Sequence, residues 1–386
     1  MKMVFYMLIK LQKQINELKH ETNILKENNK QLFRLFKEGC PQTINNITDH
    51  NPISSLTTIN SNHNTPILQS INKHLEMQNL HNDIVSCLLL TSQHKRIITG
   101  SKDGSISMCS VDYTSNTYQQ ILTKSNAHND WIYYLNEISN QRLLSCSYDH
   151  LIKVWKIDDL NLITTLTKHT DWVTQVIPLT NNRFASFSYG DQTVKLWCDL
   201  SYEKITTPFE QQNNPRALLQ LNNKAETLCI SCGKDGKGCI YFYSLVPPYN
   251  KQGTINGVYT GWRFGMVQLS NGDIALSKWK PTPSIIIVDT INYIQLTEII
   301  DNEYINKEGP GALCLLGESS FVYVRQGCLC QIMKGNNNAY EIVFKTKEDE
   351  GELIGYGGIM ALDNDKYIAV STDNGKNGIN VYKCNY

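Results

Sequence analysis

His128-Asn129-Asp130-Trp131-Ile132, followed by Leu144-Ser145-Cys146-Ser147-Tyr148-Asp149-His150-Leu151-Ile152-Lys153-Val154-Trp155, decides the fold. The pattern returns as His169-Thr170-Asp171-Trp172-Val173, then Ala185-Ser186-Phe187-Ser188-Tyr189-Gly190-Asp191-Gln192-Thr193-Val194-Lys195-Leu196-Trp197. A fainter copy precedes both: His81-Asn82-Asp83-Ile84-Val85, with Ile98 to Cys109 around Thr99 and Asp103. The closing residues Cys109, Trp155 and Trp197 lie 46 and 42 residues apart. A period of this length marks a module that buries its faces only against its neighbours. Each module reads as short strands separated by a tight turn at an Asp. The first copy has Cys109 in place of tryptophan, and the third has one extra residue, Gly190, in its turn.

These motifs resemble the WD40 repeat, whose unit is one four-stranded blade of a β-propeller. Weaker copies continue from Cys229 to Tyr243, Trp262 to Val288, Gly309 to Met333 and Gly355 to Tyr382. Their ends keep spacings of 46, 45, 45 and 49 residues. The resemblance spans residues 66–386 and implies an all-β, seven-bladed WD40 propeller. Seven blades close a ring without a long open edge. The last copy lacks one strand, and His74–Leu80 stands where a closing strand belongs.

Within this family a His, a Ser or Thr, an Asp and a Trp connect in series in each blade. The matching residues are His128, Ser145, Asp149 and Trp155 in the second copy. They are His169, Ser186, Asp191 and Trp197 in the third, with Gly190 next to Asp191. In the first they are His81, Thr99 and Asp103, because Cys109 cannot donate as an indole does. On paper these sets look like catalytic triads. Their recurrence once per blade makes them structural, since a nucleophilic site is not copied around a ring.

The resemblance places two positions per copy at the top mouth of the channel. They are Ile84 and Ser86, Trp131 and Tyr133, Trp172 and Thr174, Asn214 and Arg216, and Trp262 and Phe264. Copies six and seven offer Gly309, Gly311, Gly355 and Gly357. Trp, Tyr and Arg are enriched at binding hot spots, so this aromatic half-rim is the candidate partner site. The competing reading is that Trp131 and Trp172 only pack between blades.

Other chemistry is weakly represented. Cys229-x-x-Cys232, Cys239 and Cys328-x-Cys330 raise a zinc question, but no His lies beyond His169. Cys229 and Cys232 are odd and even positions of one strand, so they face opposite sides. Gly233-Lys-Asp-Gly-Lys-Gly238 is a turn with no strand–loop–helix context for a phosphate. No catalytic residue, metal or cofactor is expected, and the protein is not expected to be an enzyme.

The N-terminal residues are of another kind. Leu8, Ile15, Thr22, Asn29 and Phe36 fill one seam of a heptad, and Leu11, Leu18, Leu25 and Leu32 the other. That 3.5-residue period predicts a coiled-coil helix over residues 1–38 and a homodimer, with Asn29 fixing register. A lone amphipathic helix packed on the rest of the chain is the alternative. Residues 39–65, rich in Asn, Thr, Ser and Pro, form a polar linker. Lys+Arg and Asp+Glu are both 36, which argues against a nucleic-acid partner. No apolar run reaches the ~20 residues of a membrane span. Twelve cysteines in strand-like runs point to a reducing, cytoplasmic setting, cytoskeletal assemblies included. Together these features predict a bivalent protein-interaction scaffold. The alternative is a substrate-recognition or modified-lysine reader subunit of a ubiquitin-ligase or chromatin complex.

Overall fold

The computed structural model describes residues 67–386 except 94, 210–213, 225, 235–236, 261–264, 281–282, 301–311, 318–319, 326–327, 336–338, 347–357 and 373–376. The heptad segment and polar linker lie outside the described residues, as do Trp262, Phe264 and the four rim glycines. Among the described residues there is no helix, and so none long and apolar enough to cross a membrane.

The strands sort into seven antiparallel sheets. Blade 1 runs from its inner to its outer strand through Val85–Leu90, Ile97–Ser101, Ile106–Asp112 and Thr117–Lys124. Blade 2 uses Ile132–Ile138, Arg142–Ser147, Ile152–Lys156 and Leu162–Leu166. Blade 3 uses Val173–Leu179, Arg183–Ser188, Thr193–Cys198 and Lys204–Phe209. Blade 4 uses Pro215–Gln220, Thr227–Lys234, Lys237–Ser244 and Lys251–Asn256. Blade 5 differs: Tyr259–Thr260 and Met266–Gln268 both pair with Ile274–Lys280. Blade 6 spans Leu313–Leu316 to Tyr340–Lys345.

Blade 7 closes the ring. Its strands Ile359–Leu362, Tyr367–Ser371 and Ile379–Asn385 accept Ser70–Met77 as the outermost strand, in register from Ser70 opposite Asn385 to Met77 opposite Ile379. The closing strand thus begins four residues earlier than the sequence suggested.

Strand faces alternate, so each blade offers one apolar face to each neighbour. Seven clusters of buried side chains result, one per blade interface. Leu143 and Trp155 of blade 2 pack on Ile98, Ile106 and Met108 of blade 1. Phe184 and Trp197 of blade 3 pack on Leu144 and Val154 of blade 2. The remaining clusters join blades 3 and 4, 4 and 5, 5 and 6, 6 and 7, and 7 and 1.

In each of blades 1 to 4 the inner strand carries a β-bulge at the same place. Pairing skips one residue between Val85 and Cys87, Ile132 and Tyr134, Val173 and Gln175, and Pro215 and Ala217. The extra residues are Ser86, Tyr133, Thr174 and Arg216. A bulge re-aims its side chain and strengthens local twist, and here it recurs at the mouth of the ring.

Candidate protein-binding rim

The polar networks fix where the rim strands end. In blade 2, His128 Nδ1 lies 2.8 Å from Asp149 Oδ2, and its Nε2 lies 2.7 Å from Ser145 Oγ. Trp155 Nε1 donates to the same Ser145 oxygen at 2.8 Å. A carboxylate only accepts, so Nδ1 carries the proton, and Ser145 donates to Nε2. Blade 3 repeats the set: His169 to Asp191 at 2.7 Å and to Ser186 at 2.7 Å, with Trp197 on Ser186 at 2.8 Å. The extra residue does not displace Asp191. Gly190 lies so close against the Asp171 carboxylate that a Cβ there would overlap it.

Blade 1 departs from the serial pattern. His81 Nδ1 bonds Ser105 Oγ at 2.6 Å, and Ser105 in turn donates to Asp103 Oδ1. Asp103 itself is 3.9 Å from the ring, so a hydroxyl stands between the two expected partners. His81 Nε2 meets Thr99 Oγ1 at 2.7 Å. Cys109 is buried and joins the apolar cluster between blades 7 and 1. The turn residue after each Asp has positive φ: Gly104 (76°), His150 (72°) and Gln192 (56°). Only Gly104 lies against the backbone of His128, where any Cβ would clash.

Ser145 and Ser186 are fully buried, and each already holds a histidine and an indole. No substrate can reach either oxygen, which separates these sets from nucleophilic triads. Among the described residues no group of three or more His, Cys, Asp or Glu could hold a metal ion.

Burial lowers the pKa of all three histidines, that of His81 to about 4. Burial alone would raise the three carboxylates. Hydrogen bonds from Ser105 to Asp103, His128 to Asp149 and His169 to Asp191 outweigh it and hold each below the ordinary range. The histidines are neutral in the folded chain but protonate in the unfolded chain below about pH 6.5. The unfolded state then binds more protons, so stability falls as pH drops from about 6.5 toward 4. His81 alone withdraws roughly 3 kcal/mol over that window, at about 1.4 kcal/mol per pH unit. Urea unfolding near pH 7, 5.5 and 4.5 should show a falling midpoint. A constant midpoint would mean that the rings are protonated in the native state.

The structure divides the rim residues into two groups. Ser86, Tyr133, Thr174 and Arg216, expected to face a partner, are the bulge residues and are buried. Ser86 Oγ turns back onto the Gly100 and Ile132 carbonyls, and Arg216 Nε onto the Gly233 carbonyl. They support the rim rather than present it. Ile84 and Trp131 are half-buried, and Trp172 is 41% exposed.

One set of rim residues was missed. Lys102, Tyr148 and Tyr189 occupy one position in blades 1 to 3, each donating its backbone N–H to the rim residue of its own blade. The acceptors are Ile84, Trp131 and Trp172, at 3.0, 3.0 and 3.1 Å. Their side chains cross to the next blade. Lys102 Nζ sits 5.7 Å over the Trp131 ring. Tyr148 stacks on Trp172 at 4.4 Å and 7°. The Tyr189 hydroxyl accepts from Asn214 Nδ2 at 3.4 Å. Trp131 also lies 5.1 Å from Tyr148 and 5.7 Å from Tyr133. The signal was present as Ser-Tyr in both strong copies, between the second strand and the turn Asp. The result is a continuous aromatic ridge over blades 2 and 3, joined to blade 1 by a lysine.

The WD40 repeat family (WD domain, G-beta repeat) matches three stretches, residues 72–110, 119–156 and 160–198. No curated protein sequence matches the chain. Among solved structures, "Crystal structure of RRP9 WD40 repeats" superposes with TM-score 0.64 at 15% identity, covering 82% of this chain and 97% of that one. "Structure of U3-55K" does so with TM-score 0.64 at 15% identity, covering 81% and 98%. At that identity the likeness is one of fold. WD40 propellers serve in general as non-catalytic protein-interaction scaffolds, and this chain has the seven-bladed propeller fold, with three stretches that match the WD40 repeat.

Proposed function

We propose that the protein is a non-enzymatic scaffold that holds a peptide or protein partner on the rim of blades 1 to 3. The observation that carries this reading is Trp172, which keeps 41% exposure while stacked on Tyr148. A large aromatic ring held open in a fixed orientation costs little entropy on binding and offers a hot-spot anchor. Trp131, Tyr148 and Lys102 extend the surface, and the exposed Asp130 with the half-buried Asp171 gives it an acidic margin. The heptads of residues 8–36 support pairing of two chains, so that two rims act together on a multivalent partner. The twelve cysteines spread through strand-like runs support a cytoplasmic setting.

The modified-lysine alternative gains no observation. A cation cage needs rings on several sides, whereas Tyr148 and Trp172 lie parallel and leave one open face. Asp130 and Asp171 each turn one oxygen to the following backbone N–H, at 2.6 Å.

The test is comparative affinity purification with mass spectrometry, using the wild type, Trp172→Ala and a deletion of residues 1–40 as baits. Trp172→Ala should weaken a defined partner by about 30-fold or more, as loss of a ≥2 kcal/mol anchor does. Its melting temperature should stay close to that of the wild type. An unchanged partner set would clear the rim of this role. The deletion should be monomeric by light scattering, and a monomeric full chain would remove the bivalent part of the reading.

A further inference from the structure

Blade 4 lacks the polar network of blades 1 to 3. Ile230 stands where Ser145 and Ser186 stand, and Tyr243 where the tryptophans do. At the rim end of the same two strands, Cys232 replaces the serine found as Ser101, Ser147 and Ser188. Its direct cross-strand partner is Cys239. Directly opposed residues of an antiparallel pair have Cα atoms about 4.5–5.5 Å apart and side chains on one face. That separation falls inside the roughly 4.4–6.8 Å range of disulfides. Both thiols are free and lie in the cluster between blades 3 and 4. Cys229, on the same strand, faces the other way and meets Met266 Sδ at 3.6 Å.

We propose that Cys232 and Cys239 are a redox modification site, closing to an intrachain disulfide when the protein meets a hydroperoxide and reopening under thiol reductants. The two sulfurs have different surroundings. The Cys232 thiol donates to Cys239 and holds it well below the ordinary thiol range. Burial opposes this, and the Tyr241 hydroxyl and the Lys251 charge reinforce it. Cys232 is pushed up by the same hydrogen bond and by burial. Cys239 is 9% exposed and lies near the Lys251 charge, whereas Cys232 is fully buried, so Cys239 is the thiol that a peroxide meets first and the attacking thiolate.

Cys239 sulfur displaces hydroxide from hydrogen peroxide and becomes a sulfenic acid, and the hydroxide takes a proton to leave as water. Cys232 sulfur then attacks the Cys239 sulfur, the S–S bond forms, and the sulfenic oxygen leaves as a second water. Two thiols lose two hydrogens and two electrons, and one peroxide is reduced to two waters. Two equivalents of a small thiol reverse the change by exchange. Gly233, next to Cys232, donates its N–H to Asn214 O at 3.1 Å and accepts from Arg216 Nε at 3.3 Å. The pair therefore sits under the blade-4 end of the rim.

The experiment is peptide mapping of the full chain after brief treatment with hydrogen peroxide, with free thiols then capped by N-ethylmaleimide in denaturant. Trypsin cuts after Lys234 and Lys237, so the Cys232 and Cys239 peptides stay together only through a disulfide. The expected result is that joined pair, with loss of the Cys232 and Cys239 maleimide labels, restored by dithiothreitol, and with the label kept on Cys229, which shares the 225–234 peptide with Cys232. In Cys232→Ser, which keeps a hydroxyl donor beside Cys239 but cannot close a disulfide, Cys239 should be trapped as a sulfenic acid by dimedone. In Cys239→Ser, Cys232 should stay fully labelled. Full labelling of Cys232 and Cys239 in oxidised wild type overturns the proposal. So does joining of either residue to another cysteine or to a second chain.

Discussion

A chain that begins at residue 79 should fail to form a monomeric propeller, whereas one that begins at residue 67 should keep it. The difference is the strand Ser70–Met77 and the residues before it. Leu68 and Ile71 belong to the core between blades 6 and 7, and Leu75 and Met77 to the core between blades 7 and 1. Each buried side chain of this size contributes roughly 1.5–3 kcal/mol, so four of them rival the ~5–15 kcal/mol stability of a whole domain. Hydrogen bonds fail as well. Gln331, buried inside blade 6, accepts from the Leu68 N–H at 2.9 Å and would keep a carbonyl without that donor. The strand Ile379–Asn385 would become an open edge, a template for aggregation. Size-exclusion light scattering and thermal melting of the two truncations decide the matter. A soluble monomeric 79–386 chain with the melting temperature of the 67–386 chain would mean that closure is not what holds the ring.

Trp155→Ala should destabilise the protein by about 3–5 kcal/mol, the cost of a buried aromatic truncated to Ala. Trp155 is 1% exposed and is packed on Ile98, Ile106 and Met108 of the preceding blade. Truncation opens a cavity at that interface, and it removes the donor that Ser145 receives at 2.8 Å. Trp155→Phe separates the two effects. It keeps most of the ring volume and loses the N–H, for a smaller cost of about 1–2 kcal/mol. Urea unfolding gives both values. A Trp155→Ala midpoint indistinguishable from wild type would place the indole outside the load between blades 1 and 2.

The blade networks were legible because they are made of rare residue types at fixed spacing. His128, Ser145, Asp149 and Trp155 could be read as one set before any coordinates, since only a repeating geometry asks for those four together. The interposed Ser105 was not legible in blade 1. Whether a serine or a carboxylate meets His81 Nδ1 is decided in the turn after Ser101, where Ser105 Oγ reaches 2.6 Å and Asp103 stops at 3.9 Å. The weak copies were recognised by period and strand pattern. Ile230 and Tyr243 substitute apolar packing for hydrogen bonds, and apolar residues carry little positional information.

The rim shows the sharpest division. The family resemblance placed Ser86, Tyr133, Thr174 and Arg216 in one exposed row with Ile84, Trp131 and Trp172. Bulges at those four residues break the alternation and bury them. Tyr148 and Lys102 passed as turn residues, because their contacts are with the following blade, some 24 to 29 positions along the chain.

The number of blades, the polar sets in blades 2 and 3 and the presence of an N-terminal closing strand follow from local pattern, which periodicity and residue type carry. Which rim side chains are open, which are turned inward, and that Tyr148 stacks on Trp172 were decided by tertiary structure. Those features arise where two blades meet, and the distance between blades is a property of the closed ring that no single repeat contains.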